Sequence, residues 1–435
     1  MLDLLIKNGQ CYIDGTLKDA DVSVNNGKIQ KIGKVSEKAK ETIDAEGLIV
    51  LPGCIDTQTH FREPGSTDTE DLHSGSRAAV AGGITAVFEM PNTNPPTSNK
   101  VEFKKKLDLA KNRMYCNYAF YFGATADNSD QLADLKKLEG CCGIKLFAGS
   151  STGNLLVAKE KDIEKVFQNS SKVVAVHSED EEILNKNKKL IKKGDVHSHP
   201  VWRSEECAIS STRRIVRIAE LYKKKAHILH VTTKQEVDFL SQHKGNITFE
   251  ITPQHLTIYA PDCYDKLGTY AQMNPPIRDK SHYDRLWYGV KNNLNDTIGS
   301  DHAPHLKVNK DKDYPNSPSG MPGVQTLMPV MLNHVNDKRL SLSQLINFVC
   351  ENPIKIFGIK NKGYIKEDYD ADFTIVDMNK KIMIKNDNIE SKCGWSPFNG
   401  FEFKGSPVYT IVNGKIKFNN GRIIGEPEGL PLIFS

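Results

Sequence analysis

The chain reads as a (β/α)8 barrel carrying a small β domain assembled from both of its ends. Three observations predict this. Eight short apolar runs alternate with helix-period stretches through the middle of the chain, Asn-Gly hairpin signals stand near both termini, and chemistry-bearing residues recur where the apolar runs end.

The apolar runs fall at residues 49–55, 84–90, 118–122, 143–147, 173–176, 227–231, 247–251 and 297–299. Between them lie helical patterns such as Ile215, Ile218, Ala219 and Tyr222, spaced i, i+3, i+4, i+7. Strand–helix alternation implies βα units around a parallel sheet, and eight such units fit a closed barrel enlarged by insertions. A doubly wound open sheet is the alternative. The first run is followed by no glycine-rich dinucleotide fingerprint, which weakens that alternative.

The ends have a different rhythm. Apolar residues alternate on both sides of Asn26-Gly27, and again around Asn413-Gly414. Asn-Gly between alternating runs is a strong hairpin signal. The run Asp372-Phe373-Thr374-Ile375-Val376-Asp377 is a further strand candidate. Each end alone is too small to bury a core, so the two are expected to share one sheet. The division this suggests is 1–50 and 361–435 for the β domain and 51–360 for the barrel.

Bulk properties exclude several classes. Fifty-eight basic residues against 54 acidic ones give a net charge of +4, without the basic excess of a nucleic-acid binder. No apolar run approaches the length of a membrane span, and the first residues lack the pattern of a signal peptide. Nine scattered cysteines with no Cys-x-x-Cys pair suggest free thiols in a reducing compartment, hence the cytoplasm.

Barrel chemistry sits at the C-terminal ends of the strands. The first run ends in Asp56-Thr57-Gln58-Thr59-His60-Phe61-Arg62, the second in Met90-Pro91-Asn92, the fifth at His177, the sixth at His230 and the eighth at Asp301-His302-Ala303-Pro304-His305, while the fourth contains Lys145. Imidazole and carboxylate suit zinc. Each residue also has a plain structural reading: a lone strand-end histidine is more often part of the packing, Asp301 could cap the next segment, and Lys145 could extend to solvent. Lys145 is the odd member, flanked by Ile144, Leu146 and Phe147. A lysine buried there shifts toward the neutral amine, the form that takes up carbon dioxide to give a metal-bridging carbamate. Five such residues at five strand ends outweigh the separate structural readings.

Four segments then carry a family resemblance. His60-Phe61-Arg62-Glu63-Pro64-Gly65, Met90-Pro91-Asn92-Thr93-Asn94-Pro95-Pro96, the glycine-rich stretch from Gly143 to Asn154, and Ser300-Asp301-His302-Ala303-Pro304-His305 resemble the signatures of the dihydroorotase family in the amidohydrolase superfamily. The resemblance spans nearly the whole chain. It implies an amidohydrolase barrel with a composite terminal β domain, and one or two zinc ions per subunit. His60 and Asp301 would serve one ion, His177 and His230 the other, with carbamylated Lys145 between them. Arg62, Asn92 and His305 would hold the substrate carboxylate, with Asn274 and the Pro322-Gly323 backbone completing the pocket. A homodimer, and association with an aspartate transcarbamoylase, are also implied.

One position departs from the family. Its first motif usually reads His-x-His after the aspartate, and Gln58 stands where the first histidine would be. An amide oxygen is a weaker, uncharged ligand, which makes the His60-side metal the uncertain one; the Gln form resembles a subgroup of dihydroorotases. The implied reaction is hydrolysis of dihydroorotate to N-carbamoyl-aspartate and its reversal in pyrimidine synthesis. Zinc would bring the pKa of water to about 7, and Asp301 would move the proton to the leaving ring nitrogen. Arg62 is the discriminating residue, since hydantoin and allantoin rings lack a carboxylate for its planar fork. Its structural reading is a salt bridge with Glu63 or Glu70. A cyclic amidase for those other rings is one rival. A catalytically silent homologue partnering a transcarbamoylase is the other, favoured by Gln58 alone. Residues 306–320, rich in Lys, Asn, Asp and Pro, read as a polar lid over the site.

Overall fold

A computed structural model describes residues 1–151 and 155–435. Thr152, Gly153 and Asn154, the tail of the glycine-rich motif, lie outside the described residues. Eight parallel strands follow one another around a sheet in chain order: Cys54–Thr59, Ile84–Glu89, Asn117–Gly123, Cys141–Phe147, Val174–His177, Ala226–Ile228, Ile247–Ile251 and Thr297–Ile298. A parallel bridge between Thr59 and His302, with the His60 N–H donating to the His302 carbonyl at 2.7 Å, joins the last strand end to the first. This is the expected barrel.

Helices start where capping residues satisfy their free N–H groups. Asp71 and Ser74 form a capping box on the helix Leu72–Ala81. Ser204 caps Glu205–Leu221, whose inner face buries Ile215, Ile218 and Ala219 as their spacing predicts. The strands are buried along their lengths, save a half-buried Thr248, as parallel strands covered by helices must be.

The second sheet joins the two ends of the chain. Leu2–Ile13, Thr16–Asn25 and Lys28–Gly33 pair antiparallel, and so do Phe373–Met383, Glu402–Val412 and Lys415–Asn419. Ile49–Pro52 sits between the two sets, parallel to Leu2–Ile13 and antiparallel to Phe373–Met383. Both Asn-Gly turns take the left-handed conformation that a tight hairpin needs, with φ of 50° and 72° at Asn26-Gly27 and 51° and 77° at Asn413-Gly414. The turns abut: a Cβ on Gly27 would lie 3.1 Å from the Asn413 carbonyl oxygen.

The first apolar run therefore differs from its expected role as one barrel strand. Ile49–Pro52 belongs to the terminal sheet and the barrel begins at Cys54. Gly53 makes the crossing, where a Cβ would stand 2.4 Å from Thr85 Oγ1, so the backbone can turn only without a side chain.

Candidate active site

Six strand ends converge on one cavity at the C-terminal mouth of the barrel. Its wall includes Gln58, His60, Arg62, Asn92, Lys145, His177, His230, Asn274 and Asp301. His177 closes the fifth strand and faces His230, two residues beyond the sixth; His177 Nδ1 and His230 Nε2 stand 3.1 Å apart. On the other side His60 Nε2 lies 3.3 Å from Asp301 Oδ1. Asn92 Oδ1 accepts from His60 Nδ1 at 2.8 Å, which turns Nε2 toward Asp301. Three of these residues hold left-handed backbone angles, with φ of 63° at Arg62, 38° at His230 and 44° at Asp301. Such strain in non-glycine residues gathers at functional sites.

Burial sets the protonation states. Lys145 is 1% exposed, and desolvation pushes its amine down, against the opposing charges of Asp301 and Glu250. Desolvation pushes the Asp301 carboxyl up, against Lys145. His60, His177 and His230 are each drawn below the ordinary imidazole range, with burial the largest cause. Neutral imidazoles are the form that metal ligation requires, whereas the raised Asp301 carboxyl has to give up its proton to a bound cation.

The donor geometry fits a zinc ion. Two nitrogens bound to tetrahedral zinc at 2.0–2.1 Å lie about 3.3 Å apart, close to the 3.1 Å between His177 Nδ1 and His230 Nε2. Gln58 Nε2 donates to Asp301 Oδ1 at 2.9 Å, and its Oε1, the one atom of the amide able to ligate, is buried with no hydrogen-bond partner among the described residues.

Arg62 answers the question its motif raised. Neither carboxylate suggested for it is its partner: Glu63 pairs with Arg113 at 2.8 Å, and Glu70 accepts from Ser74 and Ser391. Arg62 Nε instead donates to the Pro304 carbonyl at 3.2 Å, and Nη2 lies 3.4 Å from His305 Nε2. Among the described residues no carboxylate forms an ion pair with it. Burial lowers its pKa to about 10, so it stays charged at neutral pH.

The sequence pattern of the Amidohydrolase family matches residues 49–417. The chain belongs to the amidohydrolase family. The dihydroorotase of Methanosarcina acetivorans is 36% identical over 445 residues, covering 98% of this chain and 94% of that one. The dihydroorotase of Pyrococcus furiosus is 34% identical over 427 residues, covering 98% and 95%. Among solved structures, the L-hydantoinase (dihydropyrimidinase) of Arthrobacter aurescens superposes with a TM-score of 0.94 at 29% identity, covering 99% and 100%. The dihydropyrimidinase of Brevibacillus agri gives 0.91 at 26%, covering 100% and 99%.

Two expectations of this amidohydrolase site concern the chain that follows Asp301. Pro322 and Gly323 do not line the cavity; the Gly323 N–H donates to His302 Nδ1 at 3.0 Å. Ser319 and Gly320 take their place, because the chain turns at Gly320, where φ is 143° and a Cβ would meet the Ala303 oxygen at 2.5 Å. Residues 306–320 are polar as read, yet fastened down. Lys310 is fully buried and donates to the carbonyls of Gln272, Pro318 and Gly320 at 3.2, 2.8 and 3.2 Å. Tyr314 and Ser317 are buried with it.

Other functional candidates escaped the sequence reading. Glu179 Oε2 lies 2.8 Å from His177 Nε2, and Arg203 pairs with the same carboxylate. A metal-binding histidine needs such a partner on its second nitrogen, so the signal was present in His177-Ser178-Glu179. Away from the cavity wall, Glu205, Asp279 and His282 also gather closely enough to surround a cation. His282 Nδ1 accepts the Lys234 N–H at 3.0 Å, leaving the ring proton on Nε2, which faces Glu205 at 2.9 Å. With Nδ1 taken by the Lys234 N–H, that tautomer leaves the ring no lone pair to offer a metal.

No helix among the described residues is long and apolar enough to cross a membrane.

Proposed function

We propose that this protein is a dihydroorotase, a metal-dependent hydrolase of the dihydroorotate ring amide that also closes the ring from N-carbamoyl-aspartate. The observation that carries the substrate assignment is Arg62, a buried guanidinium in the cavity wall with no carboxylate ion-paired to it among the described residues. An unpaired buried charge is costly, and a substrate carboxylate would complete it. Asn274 across the cavity supplies a further polar contact to the ring, and His305, outside the lining, stands against the Arg62 guanidinium. The nearest rival is a hydantoinase-type activity, suggested by the structural neighbours and opposed by Arg62.

His177, His230 and Lys145 would hold zinc, with His60 and Asp301 toward a second ion and Lys145 bridging as the carbamate. Burial favours the neutral Lys145 amine, the species that reacts with carbon dioxide. When bound, the metal polarises the amide carbonyl and makes hydroxide available at neutral pH. Asp301 supplies the proton traffic. Its Oδ1 accepts from Gln58 Nε2 at 2.9 Å, and desolvation raises its affinity for a proton. It accepts the proton of the attacking water and returns it to the ring nitrogen as the C–N bond breaks. Arg62 and Asn274 orient the ring so that this nitrogen meets Asp301. The nine cysteines are all buried free thiols, which supports a reducing, cytoplasmic setting.

Arg62→Ala is expected to raise KM for dihydroorotate about 10²-fold, the scale of losing a buried charged hydrogen bond, with zinc content unchanged. An unchanged KM would remove the carboxylate assignment.

A further inference from the structure

Glu179 and Arg203 connect the two sides of the cavity. Glu179 is fully buried, and its Oε2 meets His177 Nε2 at 2.8 Å. Arg203 Nη1 donates to the same oxygen, while its Nη2 donates to the Ser150 carbonyl at 2.5 Å. Ser150 is gripped at its other polar groups too: its N–H and Oγ reach Glu181 at 2.7 and 2.8 Å. The approach is close, because a Cβ on Gly149 would lie 2.5 Å from the Glu179 carbonyl oxygen. The next residue, Ser151, lines the cavity, and its Oγ accepts from Asn274 Nδ2 at 3.4 Å. Arg203 is held from behind, where Arg278 Nη1 donates to its carbonyl at 3.0 Å and Arg278 Nε to Thr232 Oγ1 at 2.9 Å.

We propose that Glu179 and Arg203 are a positioning pair that does two jobs at once: they aim His177 Nδ1 at the metal, and they seat Ser150–Ser151 against the substrate-side residue Asn274. The proposal rests on the reading of His177 as a metal ligand. The first job follows from the imidazole. A carboxylate that accepts the Nε2 proton leaves the lone pair on Nδ1, directed at His230 Nε2 3.1 Å away. The second follows from the guanidinium. Its planar fork reaches an acidic oxygen and a carbonyl at fixed separation, which a lysine ammonium, a single point of charge, does not reproduce. Glu179 alone would act on the metal side, and Arg203 extends its reach to the neighbouring loop. Metal affinity and substrate affinity thereby share one buried ion pair, although neither Glu179 nor Arg203 is among the residues lining the cavity.

The test is chelator-competition titration of zinc, with steady-state kinetics on dihydroorotate, using the full folded chain and its Glu179→Gln, Arg203→Lys and His177→Ala variants. Glu179→Gln is expected to weaken zinc about 10–100-fold, the usual cost of losing such a partner. Arg203→Lys is expected to raise KM with zinc affinity little changed, since a cation still faces Glu179 while the Ser150 arm is lost. If His177→Ala loses zinc but Glu179→Gln binds it as the parent does, the positioning role is wrong and the metal reading stands. If His177→Ala binds zinc normally, the metal reading itself is wrong. An unchanged KM in Arg203→Lys would remove the loop-seating role. Should Glu179→Gln fail to fold, Glu179→Gln/Arg203→Met removes both charges and is read by the same titration.

Discussion

The two walls of the cavity are built by different means. Lys145, His177, His230 and Asp301 stand on or just beyond barrel strands, and backbone pairing sets their relative positions. Lys145 is in register with Ala175, and His177 with Phe147, across adjacent strands. Arg62, Asn274, His305 and Ser319 stand on the longer connections. Their places depend on a few buried fasteners: Lys310 on three carbonyls, and Trp395 Nε1 donating to the His305 carbonyl at 2.7 Å. In the function proposed above, the strand-borne wall carries the metal chemistry and the loop-borne wall carries the contacts that select a substrate. Function can therefore vary on one wall while the other stays constant.

The sharpest way to break this comparison is to remove a strand-borne ligand. Lys145→Met is expected to cut kcat by about 10³-fold or more, since it removes electrostatic stabilisation at the reacting centre, while the circular dichroism spectrum stays that of the parent. Substantial turnover in that variant would mean that the strand-borne wall does not carry the chemistry. A loop fastener should behave differently. Lys310→Met strands three buried carbonyls, so it is expected to lower stability by about 2 kcal/mol and raise KM about tenfold. Zinc content should be unchanged, because no metal-side residue touches Lys310. Loss of zinc in Lys310→Met would show that the walls are not independent. The smallest effect belongs to Gln58→His. It should tighten zinc at the His60 side by replacing an amide turned toward Asp301 with an imidazole. Metal titration should show it as a higher zinc stoichiometry at limiting metal, with KM held within about twofold because the substrate contacts are untouched.

The strand-borne wall was legible in the sequence and much of the loop-borne wall was not. Lys145 betrayed itself by its apolar neighbours, and His177, His230 and Asp301 by ending apolar runs. Arg62, Asn92 and Asn274 were readable through their motifs. Pro322 and Gly323 were placed in the wall because they follow the right motif, but the turn at Gly320 brings Ser319 there instead. The run 49–55 looked like one strand because both of its halves are apolar; only Pro52-Gly53 hints that the chain changes sheets. Nothing local in the sequence singles out Lys310 or Arg203. Lys310 binds backbone carbonyls, which carry no sequence signature, and Arg203 meets Glu179 24 positions away along the chain. Such partners are defined by the folded loops and not by local pattern.

The most direct test of the account is a comparison of kcat/KM on dihydroorotate with that on dihydrouracil and on hydantoin, using the zinc-loaded chain. The account predicts that dihydroorotate is preferred by at least about 10²-fold, because a buried polar site strongly disfavours an analogue that leaves it unpaired. Equal or faster turnover of the rings that lack a carboxylate would contradict it.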